Sequence, residues 1–223
     1  MEAKGASART RRLMLKTAID LMQSGETPSV STAAEAAGVS RATAYRYFPS
    51  QTALVQSVVD EALGPILNWQ SDSSDAEVRV DDLLQSSTAR IVEFESTFKA
   101  ALRLTLEQWA RDRAGTLGEE PPFKRGHRVE LLQKAIEPLR KRLSGAQFSR
   151  LAKALSLTYG LEVLLVLKDL WGLDSKEMQS VARWAARSLV QAALLEAETS
   201  RSNGRVATPP GLGTRRRAIN AAG

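Results

Sequence analysis

Apolar positions along this chain recur at helical spacing. Met14, Ala18, Leu21 and Met22 fall on one face at a 3.6-residue period, which predicts a helix over 10–24 that Gly25 ends ahead of the turn-forming GETPS. Ser29 stands where it caps a second helix over STAAEAA, and that helix stops at Gly38. Ser40 caps a short third helix over RATAYRYF, Pro49 closes it, and a fourth begins near Ser50 and runs as 51–67 toward Trp69. Beyond residue 76 the predicted helices are long. VRVDDLLQSSTARIVEFE and FKAALRLTLEQWARDR meet near Ser96, and a loop over 113–122 follows. FKRGHRVELLQKAIEPLRKRL carries a disturbance at Pro138, FSRLAKALSLTYGLEVLLVLKDLW follows SGAQ, and KEMQSVARWAARSLVQAALLEAE follows Gly172 and Asp174. No segment alternates as a strand does and no internal repeat is present, so the fold class is all-α, with about nine helices.

Composition agrees and removes several chemistries. A hydrophobic content of 43% supports a packed core, and an aromatic content of only 5% beside abundant leucine and alanine suits helices over strands. With no cysteine there is no disulfide framework, no zinc-thiolate site and no thiol nucleophile. There is one histidine and no His-x-x-x-His pair or Gly-rich phosphate loop, and Asp81 and Asp82 diverge on a helix. No enzyme, metal or cofactor is expected. MEAKGASARTRR has no apolar segment of the secretory kind. LEVLLVL at 161–167 falls far short of the ~18 residues that span a bilayer and is broken by Glu162. A soluble, cytoplasmic protein without a membrane partner is expected.

The net charge of +6 is unevenly spread. Residues 1–50 hold seven Lys/Arg against four Asp/Glu, residues 200–223 hold five arginines and no acid, and the middle is slightly acidic. A polyanion partner is therefore sought at the two ends, although such runs also serve as plain solubilising surface.

The stretch AAEAAGVSRATAYRYFPS, residues 33–50, gives that partner a form. Ala34 and Ala37 allow close helix approach, Gly38 supplies the sharp turn, and Val39, Ala44 and Phe48 point inward. Arg41, Thr43, Arg46 and Tyr47 are left outside. A short exposed helix rich in cations and hydroxyls suits a DNA major groove, whereas an alanine-rich helix pair with a glycine turn is by itself ordinary packing.

The combination resembles the TetR family, the tetracycline-repressor-like transcriptional regulators. MLKTAIDLM resembles the family's first helix, and Ala37-Gly38-Val39-Ser40, Thr43-Ala44-Tyr45 and Tyr47-Phe48 resemble its turn and recognition helix, over about the first 65 residues. The resemblance implies a three-helix helix-turn-helix DNA-binding domain over 1–66 and a larger helical effector-binding and dimerisation domain over 67–199, while composition predicts a basic, disordered tail over 200–223. The resemblance also implies Ser31 and Ser40 as phosphate anchors, and Thr43, Tyr45 and Tyr47 as residues that hold the DNA backbone or touch bases. Arg41 and Arg46 are candidates for base readout, Gln51 opens the fourth helix, and Arg9, Arg11 and Arg12 lie within reach of phosphates or the minor groove. Three features depart from the family pattern: Ala33 and Ala44 replace larger aliphatics, with Met14 and Met22 available to compensate, Gln51 replaces a lysine, and the Gly25-to-Val30 linker is slightly short.

Double-stranded DNA with a palindromic operator, a homodimer and an unknown small-molecule effector follow as expected partners. The two last predicted helices are more apolar than one buried face requires, which fits either a four-helix dimer interface or the monomer's own core. Trp69, Phe94, Phe98 and Trp109 are the apolar effector-site candidates, while ordinary core explains each of them singly. His127, Tyr159 and Glu162 are the polar candidates. Within its apolar run Glu162 requires a ligand cation, an arginine or the dimer mate if buried, and none of these at a solvent edge. The expected function is a repressor released from its operator by a small, largely apolar effector, and the alternative is a helical carrier with a non-functional DNA-binding motif.

Overall fold

The computed structural model describes residues 2–123 and 126–206, with side chains from residue 7 to residue 202 apart from 124 and 125. Among the described residues there are ten α-helices and no strand. They are α1 (Glu2–Gln23), α2 (Val30–Ala36), α3 (Arg41–Tyr47), α4 (Gln51–Leu63), α5 (Ala76–Glu93), α6 (Glu95–Arg113), α7 (His127–Ala135), α8 (Gly145–Leu155), α9 (Leu161–Val163) and α10 (Ser175–Val206). A π-helical stretch, Leu164–Leu170, continues α9. None of these helices is long and apolar enough to cross a membrane.

The helix starts follow the expected chemistry. Ser29, Ser40 and Ser50 each accept a backbone N–H, from Thr32 at 3.0 Å, Thr43 at 3.3 Å and Ala53 at 3.1 Å. Each cap contributes about 1 kcal/mol by satisfying a donor that the first turn leaves open. Ser144 and Gln147 form a reciprocal capping box at the start of α8.

Two apolar clusters organise the chain. The first joins Met14, Ala18 and Met22 of α1, Ala33 and Ala34 of α2, Ala44 and Phe48, and Leu54, Val55 and Val58 of α4. It is closed by Ala100, Ala101 and Leu104 of α6 and by Phe123. The second is built from α5, α7, α8 and α10 around Leu83, Leu132, Ile136, Leu155, Met178 and Val190. α10 lies along α5, and Arg183 Nε donates to Asp81 Oδ1 at 2.6 Å between them.

Several boundaries differ from expectation, each for a local reason. α1 begins well before residue 10. α4 ends at Leu63, where Gly64 and Pro65 turn the chain into a 3₁₀ segment. The predicted helix beginning at Phe123 starts at His127 and yields to a 3₁₀ turn at Glu137–Leu139, which holds Pro138. The segment predicted as one helix over 148–171 breaks after Leu155. Ser156 and Thr158 hydroxyls donate to the carbonyls of Ala152 and Leu155, and Gly160 takes a φ of 100°, which suits only glycine. The tail expected from residue 200 is helical as far as Val206, with Arg201 donating to the Arg142 carbonyl at 2.7 Å, and 207–223 lie outside the described residues.

The Arg183 guanidinium hydrogen-bonds Asp81 and holds its carboxyl below the ordinary value. A depressed folded-state value stabilises above the unfolded pKa and is lost as pH falls through the folded one. Asp81→Asn is expected to lower stability by about 1 kcal/mol at neutral pH. Thermal melting should show this gap closing as pH drops below about 4, where wild-type Asp81 also loses its charge. A gap unchanged across that range would place the contribution elsewhere.

Candidate nucleic-acid interface and apolar cavity

α2, the turn and α3 are assembled by small side chains. Ala33, Ala34 and Ala44 are fully buried, and the two methionines, Met14 and Met22, are buried in the same cluster as the alanines that replace larger aliphatics. The turn is a glycine-terminated helix end. Gly38 adopts φ 66°, its N–H donates to the Glu35 carbonyl at 3.1 Å, and the Val39 N–H reaches the Ala34 carbonyl at 2.9 Å. Ala44 and Phe48 bury one side of α3, which leaves Arg41, Ala42, Tyr45 and Arg46 exposed in two adjacent rows one turn apart.

Each DNA-facing candidate has a definite place. Ser31 and Tyr45 pair by their hydroxyls at 3.3 Å across the two helices. Ser40 donates to Thr43 Oγ1 at 3.0 Å and is occupied as the helix cap. Tyr47 is half-buried, and its hydroxyl donates to Ser7 Oγ at 2.9 Å. The Ser7 hydroxyl, and after it the Arg46 guanidinium, hold the Tyr47 phenol below its ordinary value. Arg46 lies back over the Tyr47 ring at 5.2 Å, so reaching a base edge requires it to swing off that ring. Gln51 donates from its amide to the carbonyls of Thr27 and Pro28 at 3.1 and 3.3 Å, which ties the α1–α2 link to the start of α4. Arg9, Arg11 and Arg12 are exposed on α1, and Arg11 stacks 5.4 Å from the Phe48 ring.

An apolar cavity of about 90 Å³ lies between α4, α6 and α7, lined among others by Val59, Leu63, Ile91, Phe98, Ala101 and Phe123. His127, Arg128 and Tyr159 form its polar edge. His127 Nε2 meets Asp60 Oδ1 of α4 at 2.8 Å, and Tyr159, whose phenol burial pushes above its ordinary value, donates to Ser87 Oγ at 3.1 Å. Glu162 stands outside the lining, partly exposed, and takes the arginine option: Arg128 donates to it.

Three of the seven effector candidates, Phe98, His127 and Tyr159, are brought together here. Trp69, Phe94 and Trp109 do not line this cavity. Trp69 is buried in the second cluster with its indole N–H on Asp82 at 2.8 Å. Phe94 sits at the α5–α6 break beneath the Arg90 guanidinium, 4.6 Å from its ring. Trp109 is 63% exposed. It shares a side of α6 with Phe98, but the stretch after α9 covers only the end that bears Phe98, where Lys99 donates to Asp169 at 3.0 Å. Arg128, Phe123 and the buried Gln108 were not among the sequence candidates. Gln108 had a readable signal, since it continues the Thr97, Ala101, Leu104 spacing on the buried side of α6.

Residues 15–58 match the family model for bacterial regulatory proteins of the tetR family. That match covers α2, the turn and α3 with parts of α1 and α4, so this segment is similar to the family's DNA-binding motif. The chain's fold is similar to that of a TetR transcriptional regulator from Rhodococcus sp. RHA1, at 22% identity over 82% of this chain and 96% of that one with a TM-score of 0.53. A protein described as a TetR-family transcriptional regulator from Mesorhizobium loti MAFF303099 matches at 20% identity over 85% and 96% of the two chains, with a TM-score of 0.49. No curated protein matches this sequence.

A Cβ added at Gly38 would meet nothing within 4 Å, so any cost of substitution there is backbone strain. Gly38→Ala is expected to destabilise the protein by about 1–2 kcal/mol, and Gly38→Asn by less. Urea midpoints of the two variants check this, and equal losses would argue against left-handed strain as the cause.

Proposed function

We propose that this protein is a tetR-family transcriptional regulator, a homodimeric repressor that reads a palindromic operator with α3 and leaves it when a small, largely apolar effector enters the cavity. The observation that supports DNA reading best is the exposed double row of Arg41, Ala42, Tyr45 and Arg46 on a helix anchored from behind by Ala44 and Phe48. Guanidinium groups suit guanine edges, and the hydroxyls of Ser31, Thr43, Tyr45 and Tyr47 suit phosphate oxygens. Ser40 and Gln51 then serve the site from within, one as cap and one as brace.

Dimerisation has its own support. Val181, Trp184 and Leu195 share an outward side of α10, and Trp171 and Trp184 are 71% and 70% exposed. Val166, Leu170 and Trp171 add apolar surface on the stretch before it. A patch of this kind marks an interface, and pairing it with its symmetry mate covers both copies at once. Two recognition helices then address half-sites about one helical turn, ~34–36 Å, apart.

The cavity supports the effector. Its lining is predominantly apolar, with Tyr159, His127 and Arg128 grouped at one edge, and it abuts α4, the helix that links the reading head to the remainder. An effector that prefers one spacing of the two heads lowers operator affinity by the factor by which operator lowers its own.

Duplexes selected from a random pool should yield a palindrome whose affinity falls steeply with salt, as neutralised phosphates release counterions. A protein that binds apolar ligands but no duplex at low salt would be a carrier instead. Arg46→Ala should reduce discrimination among operators by about 1–3 kcal/mol, while uniform weakening on all duplexes would reassign it to the backbone. Trp184→Glu should turn the dimer into a monomer in analytical ultracentrifugation, and an unchanged dimer would move the interface off this side of α10.

A further inference from the structure

The cavity wall and the reading head share one side chain. Phe123 lines the cavity, and its backbone N–H donates to Gln108 Oε1 at 2.9 Å. The other end of the same amide, Nε2, donates to Thr52 Oγ1 at 2.8 Å. Thr52 is the second residue of α4, four positions after Phe48, the buried anchor at the end of α3. Gln108 and Thr52 are only 4% and 6% exposed. Around them Thr52 donates to Glu120 Oε1 at 3.2 Å, Gln108 Nε2 also reaches Glu120 Oε1 at 3.3 Å and the Pro121 carbonyl at 3.4 Å, and Arg111 holds the remaining Glu120 oxygen at 2.8 Å.

Such a network is an expensive way to fill a core. Apolar residues of similar volume would pack as well without the desolvation, and a half-satisfied network is worse than none. It does what apolar packing does not, since its bonds have direction and one geometry in which all are made. Displacing one partner therefore breaks a bond outright, where a hydrophobic contact would slide.

The cavity explains what would displace it. At about 90 Å³ it is well below the ~300–1,000 Å³ of ordinary ligand sites, so an occupant that fills it presses on the side chains that line it. Val59, Leu63, Phe98 and Ala101 are carried by α4 and α6, whereas Phe123 lies on the connection between α6 and α7. It is the wall residue whose backbone is bonded directly to Gln108.

We propose that Gln108 is the relay between the cavity and the reading head: an occupant that shifts Phe123 withdraws its N–H from the Gln108 amide, and the amide's hold on Thr52 and the first turn of α4 changes with it. This deepens the effector reading above and rests on it. Gln108 acts here as a positioning residue, through Thr52, and does not touch DNA.

The test needs no identified effector. Ala101→Leu adds bulk on the cavity's α6 wall and stands in for an occupant, with Ala101→Val as the milder filling if the larger one fails to fold by circular dichroism. Each is made in the wild-type and in a Gln108→Met background, which keeps volume and removes the amide. Two quantities are read: affinity for a selected duplex and amide hydrogen exchange at Ala53 to Val55. In the wild-type background filling should weaken duplex binding at least about fivefold and speed exchange at those amides. In the Gln108→Met background both effects should largely vanish. Equal effects in the two backgrounds, or no effect of filling in either, would overturn the relay. Failure of the wild-type protein to bind any duplex would refute the repressor reading instead, and exchange would still judge the relay.

Discussion

The reading head depends on what is missing at three positions. Ala33, Ala34 and Ala44 have so little side chain that α2 and α3 meet against α1, with Met14, Met22 and Phe48 filling the space around them. The recognition helix is seven residues long, far under the ~12–15 at which an isolated helix becomes even marginally stable. It exists because Ser40 caps it and Ala44 and Phe48 bury one side, so its outward rows of Arg41, Ala42, Tyr45 and Arg46 contribute little to its folding. That separation lets the outer face be chosen for chemistry. Any larger residue at Ala44 would push α3 off α1 and move the exposed rows together.

The head is not closed by its own helices. Ala100, Ala101 and Leu104 of α6 and Phe123 complete the cluster, so its packing is continuous with the segment that forms the cavity. α4 is held along its whole length by polar contacts. Gln51 reaches the α1–α2 link and Thr52 meets Gln108 near its start, Asp60 meets His127 further on, and Arg90 donates to the carbonyls of Ala62 and Glu61 at its end, at 2.6 and 3.0 Å. These contacts tie α4 to its neighbours from its first turn to its last.

α1 exposes Arg9, Arg11 and Arg12 and α3 exposes Arg41 and Arg46, while α10 and the stretch before it expose Leu170, Trp171, Trp184 and Leu195. Clustered cations attract a polyanion, and neighbouring exposed apolar side chains favour a covering surface.

How much of this could be read in advance follows from the range of each signal. Caps at Ser29, Ser40 and Ser50, the turn at Gly38 and the spacing of Met14, Ala18 and Met22 are decided within a few residues, so the head was legible in the sequence. The break after Leu155 had its local marks in Ser156, Thr158 and Gly160, but apolar spacing continued across them and masked the turn. Phe98 and Trp109 share a side of α6, and only a neighbour packed at one end makes the first a cavity residue and leaves the second in solvent. Gln108 is a plain helical glutamine until Phe123 and Thr52, distant in the chain, arrive at its two ends. The sequence by itself determined the helices, the motif and the chemistry of its outer face, because those depend on neighbours one turn away. Only the tertiary structure decided which apolar residues enclose space, which are left bare and which buried amide bonds segments distant in the chain, because burial depends on what the rest of the chain brings alongside.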